Sequence, residues 1–357
     1  MELFEEQKTD DMTEEEKEIS KVEATEEEKD VLTSEIINSP ASFTLPEYSN
    51  KLNKGIFYKP NFQRNKVWNP KGQSRFIESL LFDYPVPPVF LYKEQKKEAY
   101  LIVDGYQRIS AIHAFLNNEF KLQDVCDEYN KKDFQNLPED AQERLRNRQL
   151  NACIIRQINP DDIQTLYHIF ERLNTGGQNL NNMEVRRAVN YGTLIQELEK
   201  LNTDENWRKI LGKKDVDKRF TDLELILRLC AFYEQWDAEK AEMQNYKSMK
   251  SFLNEYLHHQ QHEKKEEFCK RFKKATKFII DELGDKPFTL YTRYNYVLLD
   301  SVMTAVIKTD SEIEEFKDKF ALLKDNQEYK EIYEAKQGTI SIKSVNDRIR
   351  IATSILK

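Results

Sequence analysis

In the first half of the chain, a short apolar segment is followed directly by apolar residues at helical spacing. Residues 99–103, Ala-Tyr-Leu-Ile-Val, have the β-branched and aromatic composition of a buried strand. Asp104-Gly105 follows at once, and Ile109, Ile112 and Leu116 then recur at helical spacing. The sequence therefore predicts a strand that turns into a helix at Asp104-Gly105.

The segments around this turn predict a mixed α/β domain over residues 39–158. Four apolar residues on one face predict a helix: Phe76, Ile77, Leu80 and Leu81. The proline-rich run of residues 84–88 ends this helix. Residues 89–92 then form a strand that pairs with residues 99–103 as a hairpin, and residues 151–155 form a further strand.

Residues 159–357 are predicted to be a mostly helical domain. Asn159-Pro160 begins a helix with an apolar stripe that includes Leu166 and Phe170, and Asn181 caps the next helix. The segment from Leu223 to Tyr233 makes another amphipathic helix. The expected fold class is therefore α+β, an α/β core followed by a mostly α-helical region.

Residues 1–38 are predicted to be an acidic mobile arm, because they contain few large apolar groups. Residues 1–40 carry 15 acidic residues and four lysines, a net charge of −11. Because the whole chain has a net charge of −8, residues 41–357 carry +3. The folded part is mildly basic, which permits nucleic-acid binding without requiring it.

The composition points to a cytoplasmic protein. No run of eighteen apolar residues predicts a membrane span, and the acidic N-terminus is unlike a signal peptide. The four cysteines are far apart, so we expect small buried side chains rather than a metal site or a disulfide framework. His258 and His262 have helical spacing but no third ligand, which favours a solvated face.

The first candidate site is the run Asp104-Gly105-Tyr106-Gln107-Arg108. A strand-to-helix turn presents backbone N–H groups to an anion, and Gly105 lets a ligand approach the backbone. Arg108 can bind a phosphate, Asp104 can hold Mg²⁺, and Gln107 can orient a water or contact a base. The alternative is a structural turn in which Arg108 pairs with Asp104.

Two further segments carry candidate binding residues. Gln63 and Arg64 lie between Phe62 and Trp68, a mixture that suits phosphates and stacked bases, although both aromatics are also typical core anchors. The second segment follows a predicted helix as Asn174-Thr175-Gly176-Gly177. This loop could close over a nucleotide, and the alternative is a simple helix stop.

The joint order of these segments resembles one family. Phe62-Gln63-Arg64, the proline-rich run, Asp104 to Arg108 and the segment Phe170 to Gly177 are together similar to the N-terminal domain of GmrSD-type restriction endonucleases, in the ParB/sulfiredoxin-like group. The likeness covers roughly residues 40–300. Four residues resemble a further helical stretch of that family: Arg219, Glu224, Leu227 and Arg228.

The resemblance implies a ParB-like α/β core, with nucleotide binding or hydrolysis at Asp104, Gly105, Gln107 and Arg108. It also implies a role in cutting, or licensing the cutting of, invading DNA, often modified phage DNA. Many members have Gln where this chain has Tyr106. Many also continue into, or work beside, a His-containing nuclease domain, and no acid–His pair here suggests one.

The leading hypothesis is an enzyme of anti-phage defence that hydrolyses a nucleoside triphosphate with Mg²⁺ to gate DNA cleavage. Arg64 and Arg108 would hold phosphates, Asp104 the metal, and Gln63 or Gln107 the attacking water. Asn174, Thr175 and Gly176 would close over the ligand. The alternatives are a non-catalytic DNA- or nucleotide-binding module and a direct Mg²⁺-dependent nickase. A separate nuclease subunit and a homo-oligomer are the further partners considered.

Overall fold

A computed structural model describes residues 36–59, 68–93, 98–158, 163–173, 181–290, 293–335 and 338–357. The chain divides into two compact units, with the first inside residues 32–180 and the second containing residues 181–357. The first unit is a sheet with helices, and the second is mostly helical. The predicted fold class, an α/β core followed by a mostly helical region, is confirmed.

The first unit is built on a five-stranded mixed sheet with the order β1-β5-β3-β4-β2. β1–β5 and β3–β4 are antiparallel, whereas β5–β3 and β4–β2 are parallel. The predicted hairpin is the β3–β4 pair, in which Phe90 lies opposite Asp104. The strands are β1 (Ile36–Thr44), β2 (Phe57–Tyr58), β3 (Val89–Lys93), β4 (Tyr100–Asp104) and β5 (Gln149–Gln157).

Five α-helices of the first unit lie among its described residues: α1 (Leu45–Asn53), α2 (Pro70–Leu81), α3 (Tyr106–Leu116), α4 (Glu139–Asn147) and α5 (Ile163–Leu173). A short 3₁₀ helix covers Phe134–Asn136. α2 begins where the Asn69 side chain accepts a hydrogen bond from the backbone N–H of Gly72 and Pro70 occupies the first turn. The predicted apolar face of α2 is buried in the core.

Both predicted boundaries of the α/β domain fall inside the first unit. β1 begins at Ile36, which pairs with Gln157, so residues 36–38 belong to the sheet rather than to the predicted arm. The unit also extends past residue 158, because α5 packs against β4. The predicted helix start at residues 159–162 lies outside the described residues.

The second unit contains ten helices among its described residues: α6 (Asn182–Val189), α7 (Thr193–Asn202), α8 (Glu205–Leu211), α9 (Thr221–Gln235), α10 (Met249–Gln260), α11 (Glu266–Leu283), α12 (Tyr296–Lys308), α13 (Phe316–Asp325), α14 (Gln327–Tyr333) and α15 (Ile342–Ile355). Two small two-stranded sheets join them: β6 (Trp236–Asp237) with β7 (Glu242–Met243), and β8 (Thr289–Leu290) with β9 (Arg293–Tyr294). Asn181 caps α6 as predicted, since its Oδ1 accepts from the Glu184 backbone N–H at 2.8 Å.

The amphipathic character predicted for residues 223–233 is wrong. Every residue from Thr221 to Phe232 of α9 is buried, including the charged residues of that stretch. The charges are tolerated because they are paired, which is the condition for burying an ion. α9 packs against α12, whose residues Val297 to Ile307 are all buried.

A chain of buried ion pairs crosses the core of the second unit. Glu224 on α9 accepts from Arg186 at 2.9 Å and from Arg228 at 3.2 Å. Asp300 on α12 accepts two hydrogen bonds from Arg348 on α15, at 2.9 and 2.7 Å. The family-like residues Glu224 and Arg228 therefore have a structural role in holding these helices together.

No helix in the parts of the chain that the structure describes is long and apolar enough to span a membrane. All four cysteines are free thiols. Only Cys230 is buried, whereas the other three are partly exposed, so the expected burial holds for one of the four.

Candidate functional site

The site begins with the strand that delivers Asp104. Leu101, Ile102 and Val103 are buried in the sheet, and Asp104 is the last residue of β4. Gly105 has φ +97° and precedes the first residue of α3, Tyr106. No side chain caps the N-terminus of α3, so its first backbone N–H groups are available to an anion. The predicted strand-to-helix turn is confirmed.

Arg108 is held over this turn by two contacts. Its Nη2 donates to Oδ2 of Asp104 at 2.6 Å and to the carbonyl oxygen of Pro88 at 3.1 Å. Pro88 is in place because β3 runs antiparallel to β4, which brings the proline-rich run to the end of β4. The alternative interpretation of this motif, a turn with a structural role, predicted this ion pair between Arg108 and Asp104.

Two polar atoms in the motif have no hydrogen-bond partner among the described residues. They are Oε1 of Gln107 and Nε of Arg108, and both are buried. An unsatisfied buried polar atom costs roughly 1–3 kcal/mol, so such atoms commonly mark a place where a ligand or water binds. One acceptor and one donor of the motif are thus suited to a polar ligand.

Gly105 is required here by both conformation and space. Its positive φ disfavours residues with a side chain, and a Cβ atom would lie 3.0 Å from Nη2 of Arg108 and 3.0 Å from Cγ2 of Val89. The Arg108 guanidinium therefore packs directly against the Gly105 backbone. Gly105 therefore determines both the backbone conformation of the turn and the position of the Arg108 side chain.

Charged and aromatic groups surround the motif. Lys59, directly after β2, places its Nζ 4.5 Å from the centroid of the Tyr106 ring. Sequence reasoning missed Lys59, because a strand as short as β2 has no periodic pattern to reveal it. On the helix α1, burial raises the pKa of the Tyr48 hydroxyl, and the positive charge of Arg108 opposes that shift.

A metal at this motif would depend on Asp104. Its Oδ2 is paired with Arg108, and its side chain is 31% exposed. Within the described ranges, no group of three His, Cys, Asp or Glu residues could hold a metal ion. Mg²⁺ is often held by one carboxylate together with waters and substrate phosphates, so the single carboxylate of Asp104 fits such an ion.

Five predicted site residues lie outside the described residues: Gln63, Arg64, Asn174, Thr175 and Gly176. Their meeting with Arg108 remains a prediction. Trp68, at the end of the first of these segments, is partly buried and packs edge-on against Phe76 with ring centroids 5.3 Å apart. Trp68 therefore packs in the core, which was the alternative to a role in stacking on bases.

The comparisons with known proteins bear on this motif. Residues 44–191 match the family model described as the GmrSD restriction endonuclease N-terminal domain. Over these residues the chain is similar to that family. The matched range includes the Asp104–Arg108 motif and α1 to α6, but not the family-like residues Arg219 to Arg228.

Other comparisons add little to the GmrSD match. No curated protein matches the chain. Among solved structures, the chain is similar to the C2221 form of a Pnob8-like ParB-N domain, at 12% identity and a TM-score of 0.23. That match covers 90% of this chain and 99% of the other. A TM-score this low does not establish a shared fold, so the fold class rests on the sheet and helices themselves.

Proposed function

We propose that the first unit binds a nucleoside triphosphate at the Asp104–Arg108 motif and hydrolyses it to gate the cleavage of DNA in restriction-type defence. The observation that carries the proposal is the pair of buried, unsatisfied atoms, Oε1 of Gln107 and Nε of Arg108, beside a partly exposed carboxylate.

Arg108 is the residue that neutralises phosphate charge. Phosphoryl transfer depends on positioning and on neutralising charge as it develops on the phosphoryl oxygens. Nη2 of Arg108 is fixed by Asp104 and Pro88, so the guanidinium is oriented before a ligand arrives. Nε then remains as a donor to a phosphate oxygen.

Asp104 and Gln107 complete the reacting centre in this proposal. Oδ2 of Asp104 stays on Arg108, and the same carboxylate has a second oxygen with which to hold Mg²⁺. Mg²⁺ would neutralise charge on the phosphates. Oε1 of Gln107 accepts a hydrogen bond from the attacking water and so orients it.

The proposal also includes the predicted binding residues that lie outside the described ranges: Gln63, Arg64, Asn174, Thr175 and Gly176. Gln63 and Arg64 follow Lys59 by four and five residues, and an extended chain spans at most roughly 3.5 Å per residue. Because Lys59 contacts Tyr106, this segment starts beside the motif. Asn174, Thr175 and Gly176 directly follow α5, which packs on β4. We propose that both segments close on the nucleotide.

DNA, which includes modified phage DNA, is the proposed macromolecular target, with cleavage by a separate nuclease subunit. The mildly basic charge of residues 41–357 is compatible with DNA, as is the match to a restriction endonuclease family. A homo-oligomer would supply a second copy of the motif to one DNA molecule. The cytoplasm is the proposed location, because that is where restriction acts on invading DNA.

Phosphate release tests the proposal directly. Purified protein is incubated with each of ATP, GTP, CTP and UTP, with Mg²⁺, with and without DNA. We expect release with at least one nucleotide and its loss in Arg108→Ala. Arg75→Ala, at an exposed position on α2 of the same unit, is the control and should retain activity. Equal silence of the wild type and Arg108→Ala with every nucleotide contradicts the enzyme.

The Asp104–Arg108 ion pair also favours a second candidate, a nucleotide-sensing module without turnover. A phosphate could replace the carboxylate on Arg108 and so change the turn without any reaction. Tight triphosphate binding without phosphate release distinguishes this module from the enzyme. Relaxation of a supercoiled plasmid that requires Mg²⁺ and disappears in Asp104→Ala would instead identify a direct nickase.

A further inference from the structure

Helix α11 of the second unit has a face of lysines on the side turned away from the core. The helix packs against α7, α8 and α12 through its buried residues: Phe268, Phe272, Ala275, Thr276 and Ile279. Its solvent side carries four exposed lysines within two helical turns, about 10 Å along the axis. We call these residues the lysine face: Lys270, Lys273, Lys274 and Lys277.

The lysine face has little compensating negative charge. No acidic residue lies within residues 268–280. Lys274 pairs with Asp310, at 3.1 Å between Nζ and Oδ2. In the parts of the chain that the structure describes, the other three lysines of the face form no ion pair. Three exposed ammonium groups therefore stand together without an acidic partner.

A fifth lysine, Lys200 in the last turn of α7, lies beside this face. Burial and the charge of Glu197 raise the pKa of the Cys269 thiol to about 11, and the charges of Lys273 and Lys200 oppose this rise. Both lysines are therefore close to Cys269. Glu197 is already bonded, because its Oε2 accepts from the Lys265 backbone N–H at 2.7 Å. The two helices thus present lysines to one surface.

The lysine face works against the stability of its own helix. Like charges three or four residues apart repel one another and destabilise a helix. Lys270 lies three residues from Lys273 and four from Lys274, and Lys277 has the same relation to both. A polyanion bound along the face would offset this repulsion and would release its counterions on binding.

The composition of the face favours phosphates over apolar or stacked partners. None of the large apolar side chains exposed in the described ranges lies on α11, so the helix offers no platform for stacking bases. Its one arginine, Arg271, is bonded to Glu267 and to the carbonyl oxygen of Ile307. Duplex DNA carries one charge per roughly 1.7 Å of its axis, so it can supply a phosphate to each lysine.

We propose that the lysine face of α11, together with Lys200, binds the phosphate backbone of duplex DNA without selecting its sequence. This inference rests on the proposed function only in its choice of DNA as the partner, and it requires neither nucleotide nor Mg²⁺. It assigns DNA contacts to the second unit, outside the residues 44–191 that match the family model.

Fluorescence anisotropy of the full chain with a short labelled duplex, without nucleotide or Mg²⁺, tests the inference between about 50 and 200 mM NaCl. The variant Lys270→Gln/Lys273→Gln/Lys277→Gln should weaken binding about tenfold or more at the lower salt concentration. Because each lost phosphate contact lowers the slope of log affinity against log salt by about 1, the slope should fall by about 2–3.

The matched control removes the same charge from three other helices. Lys317→Gln/Lys330→Gln/Lys343→Gln changes exposed lysines on α13, α14 and α15 and should weaken binding by less than about threefold. In urea unfolding, the lysine-face variant should be at least as stable as the wild type, because it removes repulsion. A clear loss of stability would give these lysines a structural role and overturn the inference.

Further outcomes decide the kind of partner. Unlabelled duplexes of unrelated sequence should compete equally, and a preference of more than about tenfold for one of them overturns recognition through phosphates alone. Equal affinities and slopes for the two triple variants overturn the lysine face. Polyglutamate that competes better than unlabelled DNA would assign the face to an acidic protein and overturn the choice of DNA.

The inference and the proposed function fail separately. A wild type that releases phosphate but binds no duplex overturns the DNA-binding face and leaves the nucleotide site standing. Duplex binding that the lysine-face variant loses, in a chain that releases no phosphate from any triphosphate, overturns the enzyme and supports the face.

Discussion

Arg108 bonds to Asp104 one helical turn earlier in the chain, with 2.6 Å between Nη2 and Oδ2. The pair connects the last residue of β4 to the first turn of α3 across Gly105. A single contact therefore stabilises the turn and orients the guanidinium that we assign to the phosphate. The structural and functional roles of the pair can be separated by experiment.

Asp104→Asn should separate them. The substitution keeps the shape of the side chain and removes its charge. Because the pair is partly exposed, we expect the free energy of unfolding to fall by no more than about 1 kcal/mol in urea titrations. Phosphate release from the triphosphate should nevertheless be lost. Unchanged release alongside a small stability loss would favour the structural turn.

Gly105→Ala should be more damaging than an ordinary glycine substitution. Gly55, in the same unit, has φ +67° and no atom within 4 Å of the position that a Cβ would take, so Gly55→Ala should cost about 1 kcal/mol of strain. Gly105→Ala adds contacts of 3.0 Å with Arg108 and Val89 and should cost about 2 kcal/mol or more. It should also abolish triphosphate binding. Equal unfolding free energies for the two variants would contradict the close approach.

The turn at Asp104-Gly105 could be predicted from sequence because its causes are local. A run of buried strand residues, a glycine and then helical spacing follow one another within eighteen residues, from Ala99 to Leu116. The same locality explains the prediction of the Asn181 cap, whose partner is the backbone N–H of Glu184. Neither feature depends on where distant parts of the chain lie.

Features that depend on distant partners could not be predicted in this way. Lys59 reaches the motif only because β2 pairs with β4, and the two-residue strand has no pattern of its own. Glu224 and Arg228 are four residues apart on α9, a spacing that is common for charged pairs on the solvent-facing side of a helix. Their burial depends on arginine and aspartate partners on other helices, which no local pattern reveals.

The capping box of α1 predicts a pH dependence of stability. The Thr44 backbone N–H and hydroxyl donate to Oε2 of Glu47, at 2.7 and 2.9 Å, and hold the pKa of Glu47 below its usual value. A lowered pKa in the folded state stabilises the protein above the unfolded pKa, and this stabilisation is lost as the pH falls through the folded value.

Glu47→Gln should therefore unfold at lower urea concentration than the wild type at pH 7, and the difference should shrink below about pH 4.5 as Glu47 becomes protonated in the wild type. Glu143→Gln, at an exposed position of α4, is the control and should show little difference at either pH. A gap between wild type and Glu47→Gln that stays constant down to about pH 3 would show that the cap does not depend on the charge.

Asp300→Asn should be among the most destabilising conservative substitutions in the second unit. Asp300 accepts two hydrogen bonds from Arg348 and lies 3.7 Å from Arg228, and all three side chains are buried. Removing its charge leaves buried guanidinium groups without compensation, which typically costs about 3–5 kcal/mol. On the same helix as Arg348, the partly exposed Arg350 pairs with Glu328 at 2.6 Å, and Glu328→Gln should cost less than about 1 kcal/mol. Urea unfolding of the two variants measures the contrast, and similar losses would mean that water reaches the pair around Asp300.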